Sequence, residues 1–160
     1  MCSSKWICYF RYFLLLAVLL GFTAFAQSAE TNREKFDPTR DPAKDLQEVV
    51  KTAQKENKRI ILDIGGEWCK WCHWLDEFIE KNADVKEAFH SAFVVLKVNY
   101  SKENKNEEFL AKYPKVEGYP HFFVLNSDGS LLHSQNTSEL EEGKGYSKEK
   151  FLQFVAKYKP

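Results

Sequence analysis

The chain has 160 residues, 44% of them hydrophobic, and its 23 basic residues balance 23 acidic ones. That length suits one globular domain with a proper hydrophobic core. The balanced charge gives no electrostatic reason to expect nucleic acid or a membrane surface as a partner.

The first 40 residues divide into an apolar run and a polar segment. The apolar run covers residues 12–26, follows two basic residues and ends in small side chains. Because a bilayer-spanning helix needs about 20 apolar residues, we predict an export signal over residues 1–26 that is cleaved near Ala26. An uncleaved anchor is the alternative. Residues 27–40 are polar and contain Pro38, which indicates a tether without a catalytic role.

The chain from residue 41 onward begins with a helix, a strand and a second helix. The first helix starts after Asp41 and ends before Asn57, since its apolar residues recur at helical spacing: Leu46, Val49, Val50 and Ala53. A buried strand over residues 59–64 follows. The second helix begins at the cysteines and runs to about Asn82, with one apolar face made of Trp71, Leu75, Phe78 and Ile79.

The second half contains three further strands. Residues 93–98 form a near-continuous apolar run, typical of a strand covered on both faces by helices. A short helix over residues 106–113 comes next. The strands at residues 121–125 and 131–134 are separated by the turn signal of residues 126–129, which predicts an antiparallel hairpin.

The last part of the chain is predicted to be a loop followed by a helix. Residues 135–146 are acidic and poor in apolar side chains, which indicates a mobile loop. Residues 151–158 form a closing helix. Alternating helices and strands predict an α/β three-layer sandwich, in which a mixed sheet of parallel strands plus an antiparallel hairpin carries helices on both faces.

The sequence Trp68-Cys69-Lys70-Trp71-Cys72 favours dithiol redox chemistry. Two thiols separated by two residues can form and break a small disulfide without unfolding the protein. Cys69 is predicted at an exposed helix start, where the macrodipole favours a thiolate, and Cys72 lies one turn deeper. A structural zinc site and an inert local disulfide remain alternatives, although His73 is the one nearby histidine and no second cysteine pair follows.

These features together resemble the thioredoxin-like superfamily, over about residues 41–160. The Trp-Cys-x-x-Cys sequence of that family matches residues 68–72, and its Gly-x-Pro turn matches Gly118-Tyr119-Pro120. Its buried strand carboxylate falls on Asp63, and its lysine on the next strand falls on Lys97. The intervening Lys70-Trp71 departs from the best-known versions of the family, so the redox potential stays open.

The resemblance implies roles for the charged residues beside the cysteines. Cys69 attacks a substrate disulfide, and Cys72 resolves the mixed disulfide. Asp63 takes the proton of Cys72, since desolvation raises the pKa of a carboxyl in an apolar strand, and Lys97 supports it. The alternatives are that Asp63 is a satisfied polar residue and that Lys97 points to solvent.

The resemblance also implies a substrate-binding surface. Pro120 is expected to be cis and to face the disulfide, while Tyr119 offers backbone groups to an extended substrate strand. Trp68 and Trp71 are expected to form an apolar collar for unfolded peptide, although packing against the domain explains them as well.

The sequence therefore predicts an exported, periplasmic or secreted thiol-disulfide oxidoreductase, more a reductase or isomerase than an oxidase. It exchanges disulfides with other proteins through Cys69 and Cys72, and a redox partner protein recycles it. We expect a monomer without stable membrane insertion after signal removal, and without a cofactor or metal. The alternatives are a non-enzymatic adaptor that binds through Trp71, Tyr119 and residues 135–146, and a Cu(I) carrier.

Overall fold

The structure is a computed structural model, and it describes residues 33–160. The signal predicted for residues 1–26, its cleavage near Ala26, and both Cys2 and Cys8 lie outside the described residues. Within residues 33–160, no helix has the length and apolar character needed to cross a bilayer.

The centre of the domain is a four-stranded mixed sheet with the order β2-β1-β3-β4. Its strands are β1 (Arg59–Gly65), β2 (Phe93–Asn99), β3 (His121–Leu125) and β4 (Leu131–Asn136). Strand β1 pairs parallel with β2 and antiparallel with β3, and β4 pairs antiparallel with β3. The predicted combination of parallel strands with an antiparallel hairpin is confirmed.

Within residues 33–160, five α-helices surround the sheet: α1 (Pro42–Glu56), α2 (Lys70–Lys81), α3 (Ala83–Ala92), α4 (Glu107–Leu110) and α5 (Lys148–Tyr158). Helix α1 begins where predicted, because the Asp41 side chain accepts hydrogen bonds from two first-turn N–H groups. It ends where predicted as well, since Asn57 adopts the left-handed conformation that stops a helix.

The helices cover both faces of the sheet, which makes three layers. Successive side chains of β1 point to opposite faces. Ile60 and Leu62 pack with α1 and α4, whereas Ile61 packs with α2, α3 and α5. The predicted three-layer sandwich is therefore confirmed, and Asp63 lies on the same face as α2.

Two helices differ from the prediction. Helix α3 was not predicted, although Val85, Phe89 and Ala92 lie on its buried side at helical spacing. The short helix predicted over residues 106–113 covers only Glu107–Leu110. Helix α3 follows α2 after the single residue Asn82, and α4 has only four residues, so neither shows a separate apolar pattern of any length.

The prediction of a mobile loop over residues 135–146 is wrong. Strand β4 extends to Asn136, a 3₁₀ helix spans Thr137–Leu140, and the two-residue strands β5 (Glu141–Glu142) and β6 (Gly145–Tyr146) form a small hairpin. Thr137 and Leu140 are both buried. These contacts hold an acidic segment on the domain although its apolar residues are few.

The polar tether predicted over residues 27–40 does not hold for its described part, residues 33–40. Phe36 is buried and packs on the two cysteines. Asn104 donates a hydrogen bond from its side chain to the carbonyl of Pro38 at 2.9 Å. This segment therefore belongs to the packed domain, and it lies against the site that the cysteines form.

Candidate active site

Cys69 and Cys72 are joined by a disulfide at the N-terminus of α2. The S–S distance is 2.08 Å and the two Cα atoms are 5.3 Å apart. Cys69 is the residue that caps the helix, and its Sγ accepts a hydrogen bond from the N–H of Cys72 at 3.1 Å. The N–H of Cys72 therefore points at Cys69 Sγ, and a donor in this position at a helix N-terminus favours the Cys69 thiolate after reduction.

Both sulfurs are well covered. Cys69 is 3% exposed and Cys72 is 2% exposed. The prediction that Cys69 lies exposed at the helix start is wrong for this structure, because Phe36, Trp71 and Tyr119 pack around the cysteine pair. A partner that reaches Cys69 must enter through these aromatic side chains.

Asp63 and Lys97 form a buried ion pair, and the Lys97 ammonium lies 4.3 Å from the centroid of the Phe36 ring, which packs on the two cysteines. They lie opposite each other in the parallel register of β1 and β2. Lys97 Nζ is 3.0 Å from Asp63 Oδ2 and 2.7 Å from Asp76 Oδ1. Their side chains are 8% and 6% exposed, so the alternative of a lysine pointing to solvent is excluded.

The pair has the electrostatics that a proton acceptor requires. Burial raises the pKa of Asp63, and the charge of Lys97 opposes that rise only in part. Among residues 33–160, Asp63 Oδ1 has no hydrogen-bond partner. Desolvation would lower the pKa of Lys97, but the charges of Asp63 and Asp76 outweigh it and raise that pKa. Lys97 therefore stays charged while Asp63 is able to hold a proton.

The Tyr119–Pro120 peptide bond is cis, as the resemblance implied, and it starts strand β3. The hydroxyl of Thr137 donates a hydrogen bond to the carbonyl of Pro120 at 2.5 Å. The ring of Tyr119 stacks on Tyr100 with centroids 4.8 Å apart and meets the edge of Trp68 at 5.6 Å. Trp68 is 57% exposed, so this aromatic surface opens to solvent.

Trp71 packs against the domain on the other side of the cysteines. Its ring lies 4.8 Å from that of Trp74 and 5.8 Å from that of Tyr146. Tyr146 belongs to the hairpin in the segment that was predicted to be mobile. The structure therefore places Trp68 and Trp71 in different roles, the first facing solvent and the second partly buried.

His121 follows the cis proline and is buried. One ring nitrogen contacts the hydroxyl of Ser134 at 2.8 Å. Desolvation and the nearby His133 lower the pKa of His121. Across the described part of the chain, no three histidine, cysteine, aspartate or glutamate side chains form a cluster suited to a metal ion.

Sequence reasoning missed four residues of this site: Phe36, Arg33, Glu67 and Asp76. Asp76 lies four residues after Cys72, a spacing that places both on one face of α2, so the sequence contained that signal. Arg33 contacts Glu67 and Asp76 across about 30 to 40 residues of chain. No local pattern in a sequence reports such contacts.

A disulfide between two cysteines separated by two residues at a helix N-terminus is the arrangement that thiol-disulfide exchange uses. The comparison with known proteins agrees. A family model described as thioredoxin-like matches residues 41–127, and the chain belongs to that family.

Related proteins of known activity carry names from the same chemistry. The chain is 29% identical over 134 residues to the thiol:disulfide interchange protein DsbD of Pseudomonas sp. (strain JR1 / K1). This match covers 81% of this chain and 23% of that protein. It is 26% identical over 94 residues to the disulfide bond reductase DsbH of Chlamydia pneumoniae, covering 53% and 56%. The match thus spans about a quarter of the length of that DsbD relative.

Solved structures support the fold. A disulphide isomerase from Xylella fastidiosa Temecula1 superposes with a TM-score of 0.66 at 24% identity, covering 79% of this chain and 97% of that one. The oxidised DsbD C-terminal domain of Neisseria meningitidis gives a TM-score of 0.57 at 20% identity, covering 79% and 100%. At these identities the likeness concerns the fold alone.

Proposed function

We propose that this protein is an exported oxidoreductase that reduces or isomerises disulfides of other proteins, rather than an oxidase. The observation that carries the proposal is the Cys69–Cys72 disulfide at a helix N-terminus, beside an aromatic surface that opens to solvent. The names of relatives, a thiol:disulfide interchange protein and a disulfide bond reductase, support it.

In the reductive direction, the reaction starts with the reduced dithiol. The Cys69 thiolate attacks one sulfur of a substrate disulfide, breaks the S–S bond and releases one substrate thiolate. Cys72 then attacks Cys69 Sγ, which releases the second substrate thiolate and closes the enzyme disulfide. Two electrons pass from the enzyme to the substrate, and a donor dithiol of a redox partner protein returns them.

Asp63 and Lys97 serve the second step in this proposal. Cys72 must lose its proton to become a nucleophile, and the raised pKa of Asp63 fits a carboxyl that accepts it. Lys97, held by Asp76 as well, fixes the orientation of the Asp63 carboxylate. In this scheme Cys69, Cys72 and Asp63 act on reacting atoms, and Lys97 positions Asp63.

The substrate is proposed to lie on the surface formed by Trp68, Tyr119 and Pro120. The exposed indole of Trp68 offers apolar contact to an unfolded peptide. The backbone of Tyr119, immediately before strand β3, offers hydrogen bonds to an extended chain. A substrate disulfide on this surface would approach Cys69 from the solvent side.

Export is proposed from the sequence of residues 1–26, with cleavage near Ala26 and a monomeric mature domain in the periplasm or outside the cell. The burial of the central apolar residues of the sheet under helices of the same chain supports a monomer. N-terminal sequencing of the secreted protein tests the cleavage position.

The test of the proposed function is a trapping experiment with Cys72→Ser. This variant keeps the attacking thiol and lacks the resolving one, so we expect stable mixed disulfides between Cys69 and client proteins, resolved on a non-reducing gel and identified by mass spectrometry. Cys69→Ser is the matched control and should trap nothing. Wild-type protein should also reduce a disulfide-bonded test protein with dithiothreitol as electron donor.

An equilibrium redox titration against glutathione fixes the direction. A reductase has a lower reduction potential than an oxidase, so its disulfide should stay mostly intact in a glutathione buffer that already reduces an oxidase disulfide. Absence of trapped clients together with absence of disulfide reduction by the wild type contradicts the proposal.

A further inference from the structure

Phe36 fills the space beside the inner sulfur of the disulfide. It is 2% exposed and packs with Cys69 and Cys72. A Cβ atom built on Gly65 would lie 2.6 Å from Cys72 Sγ and 2.8 Å from the ring tip of Phe36, so both groups border the same small volume. The Lys97 ammonium lies 4.3 Å from the centroid of the Phe36 ring.

Two hydrogen-bonded groups hold Phe36 in place. The Phe36 backbone N–H donates to Glu67 Oε1 at 2.9 Å. Arg33 contacts Glu67 Oε2 at 2.5 Å and Asp76 Oδ2 at 3.1 Å, and its side chain is 16% exposed. Glu67 directly precedes Trp68 and the active-site cysteines, so residues 33–36 are attached to the segment that carries the disulfide.

We propose that residues 33–36 form a cover segment that seals Cys72 and the Asp63–Lys97 pair from solvent and from small disulfides. In this inference the Phe36 ring blocks access to Cys72, and Arg33 holds the segment in place through its ion pairs with Glu67 and Asp76. Both act as positioning residues for the resolving step. The inference deepens the proposed function and rests on it, because protection of a resolving thiol matters only to an enzyme that exchanges disulfides.

The chemical reason is a competition for the Cys72 thiolate. In productive exchange, Cys72 attacks Cys69 Sγ and expels the substrate thiolate. If a small disulfide such as oxidised glutathione reached Cys72, that thiolate would attack it, form a Cys72–glutathione bond and release one molecule of glutathione. The resolving thiol would then be blocked. A cover over Cys72 that stays in place while a client contacts Cys69 prevents this side reaction.

Alkylation of the reduced full-length protein measures the cover directly. Trypsin cleaves after Arg59, Lys70 and Lys81, so Cys69 lies in the peptide of residues 60–70 and Cys72 in that of residues 71–81. A short treatment with iodoacetamide, followed by mass spectrometry of both peptides, gives the two alkylation rates in one sample.

For Phe36→Ala we expect Cys72 to be alkylated about tenfold faster than in the wild type, because access as well as acidity governs thiol reactivity. The rate of Cys69 should change much less. The conservative Phe36→Leu keeps an apolar side chain in the same space and should return Cys72 close to its wild-type rate. A general loosening of the domain would instead accelerate both cysteines in proportion.

Arg33→Gln tests the attachment of the segment without opening a cavity in the core, and Lys148→Gln is its matched control. Lys148 also forms an ion pair, with Asp84, but it is 52% exposed. We expect faster Cys72 alkylation in Arg33→Gln and the wild-type rate in Lys148→Gln. If Phe36→Ala fails to fold, this pair decides the question. If Phe36→Ala folds and its Cys72 is alkylated at the wild-type rate, the inference is overturned. If only Arg33→Gln folds, a wild-type rate in that variant overturns it.

A parallel assay separates this inference from the proposed function. Reduction of a disulfide-bonded test protein by the wild type reports the function, and the Cys72 alkylation rates report the cover. If the wild type reduces no disulfide but Phe36→Ala accelerates Cys72 alkylation, the proposed function is contradicted and the cover segment is supported. If the wild type reduces the test protein but neither Phe36→Ala nor Arg33→Gln changes the alkylation rate of Cys72, the function is supported and the cover segment is contradicted.

Discussion

The charged side chains around the disulfide form a chain of alternating sign. It runs from Asp63 through Lys97, Asp76 and Arg33 to Glu67, with neighbours joined by ion pairs. Three carboxylates thus face two cations. Because burial raises the pKa of Asp63, a proton on that residue leaves two carboxylates for two cations. The arrangement supports the proposed exchange of a proton between Asp63 and Cys72.

Asp63→Asn should slow disulfide reduction by about 10- to 100-fold near neutral pH, since a positioned acid or base commonly contributes a factor of that order or more. The asparagine side chain keeps the size of the carboxyl and cannot accept the proton of Cys72. Steady-state reduction of a disulfide-bonded test protein measures the effect. Asp84→Asn, which removes an exposed carboxylate paired with Lys148, is the control and should keep wild-type activity.

The same residue should make stability depend on pH. The pKa of Asp63 is raised above its ordinary 3.8 in the folded protein. The folded state therefore binds this proton more tightly than the unfolded chain, and the free energy of unfolding falls as pH rises from 3.8 through the native pKa. Asp63→Asn removes this fall, so its stability relative to the wild type should improve with rising pH.

Urea unfolding of the oxidised proteins from about pH 4 to about pH 8 checks this sign. Asp84→Asn is a control in which stability should change with pH in the opposite direction, because a hydrogen bond from Lys148 lowers the pKa of Asp84. The contribution of Asp84 is lost as pH falls. A stability difference between Asp63→Asn and the wild type that stays flat with pH would contradict the assignment.

At the scale of single residues, much of the site could be predicted from the sequence. Cys69 and Cys72 were identified from their spacing, and Asp63 and Lys97 from the resemblance to the thioredoxin-like superfamily. The strand register brings residues 63 and 97 together. The burial of Cys69 was not predicted. It depends on Phe36, an isolated aromatic residue in a polar segment, and one apolar side chain has no periodicity to reveal its contacts.

At the scale of elements, the junction between β1 and α2 decides the geometry of the sulfurs. Strand β1 ends at Gly65 and helix α2 begins after Cys69. Gly65 has room for a hydrogen only, since Cys72 Sγ and the Phe36 ring occupy the position of a side chain. A residue with a Cβ atom here would push the strand, the inner sulfur and the aromatic ring apart.

Gly65→Ala should destabilise the oxidised protein by about 1 to 3 kcal/mol, the usual cost of overpacking a filled interior. It should also accelerate alkylation of Cys72 after reduction, because the Phe36 ring must move. Denaturant unfolding and peptide mapping measure the two effects. Gly145→Ala is the control, since a Cβ there meets no atom within 4 Å, and its stability should stay within about 0.5 kcal/mol of the wild type.

The elements that escaped prediction share a physical reason. Helix α3 follows α2 after the single residue Asn82, so the sequence shows no clear boundary between them. Only α2 was therefore predicted as a helix. Residues 135–146 fold through side-chain hydrogen bonds and a two-residue hairpin rather than through apolar repetition. Elements with a regular or continuous apolar pattern, namely α1 and strands β1, β2 and β3, were placed correctly to within one residue.

At the scale of the whole molecule, aromatic side chains join the helices on one face of the sheet. Phe151 of α5 lies 5.5 Å from Phe78 of α2 and 5.4 Å from Phe89 of α3, measured between ring centroids. Phe151 is fully buried. One residue of the final helix therefore connects the helix that carries the disulfide with the helix that follows it.

Phe151→Ala should cost about 3 to 5 kcal/mol of unfolding free energy, because it removes a buried ring that touches two other helices. Denaturant unfolding monitored by circular dichroism measures the loss. Leu131→Ala, at a site 41% exposed at the start of β4, should change stability by less than about 0.5 kcal/mol. A similar loss in both variants would contradict the assigned role of Phe151.

The buried position of the Asp63–Lys97 pair has a consequence for the solution conditions that the enzyme tolerates. Mobile ions screen charges that face water, such as Lys148 and Asp84, over about 10 Å at 0.1 M salt. They do not reach a pair whose side chains are less than a tenth exposed. The proposed proton transfer from Cys72 should therefore proceed at similar rates at low and at high salt concentration. This should hold even where salt screens the attraction between surface charges and a client protein.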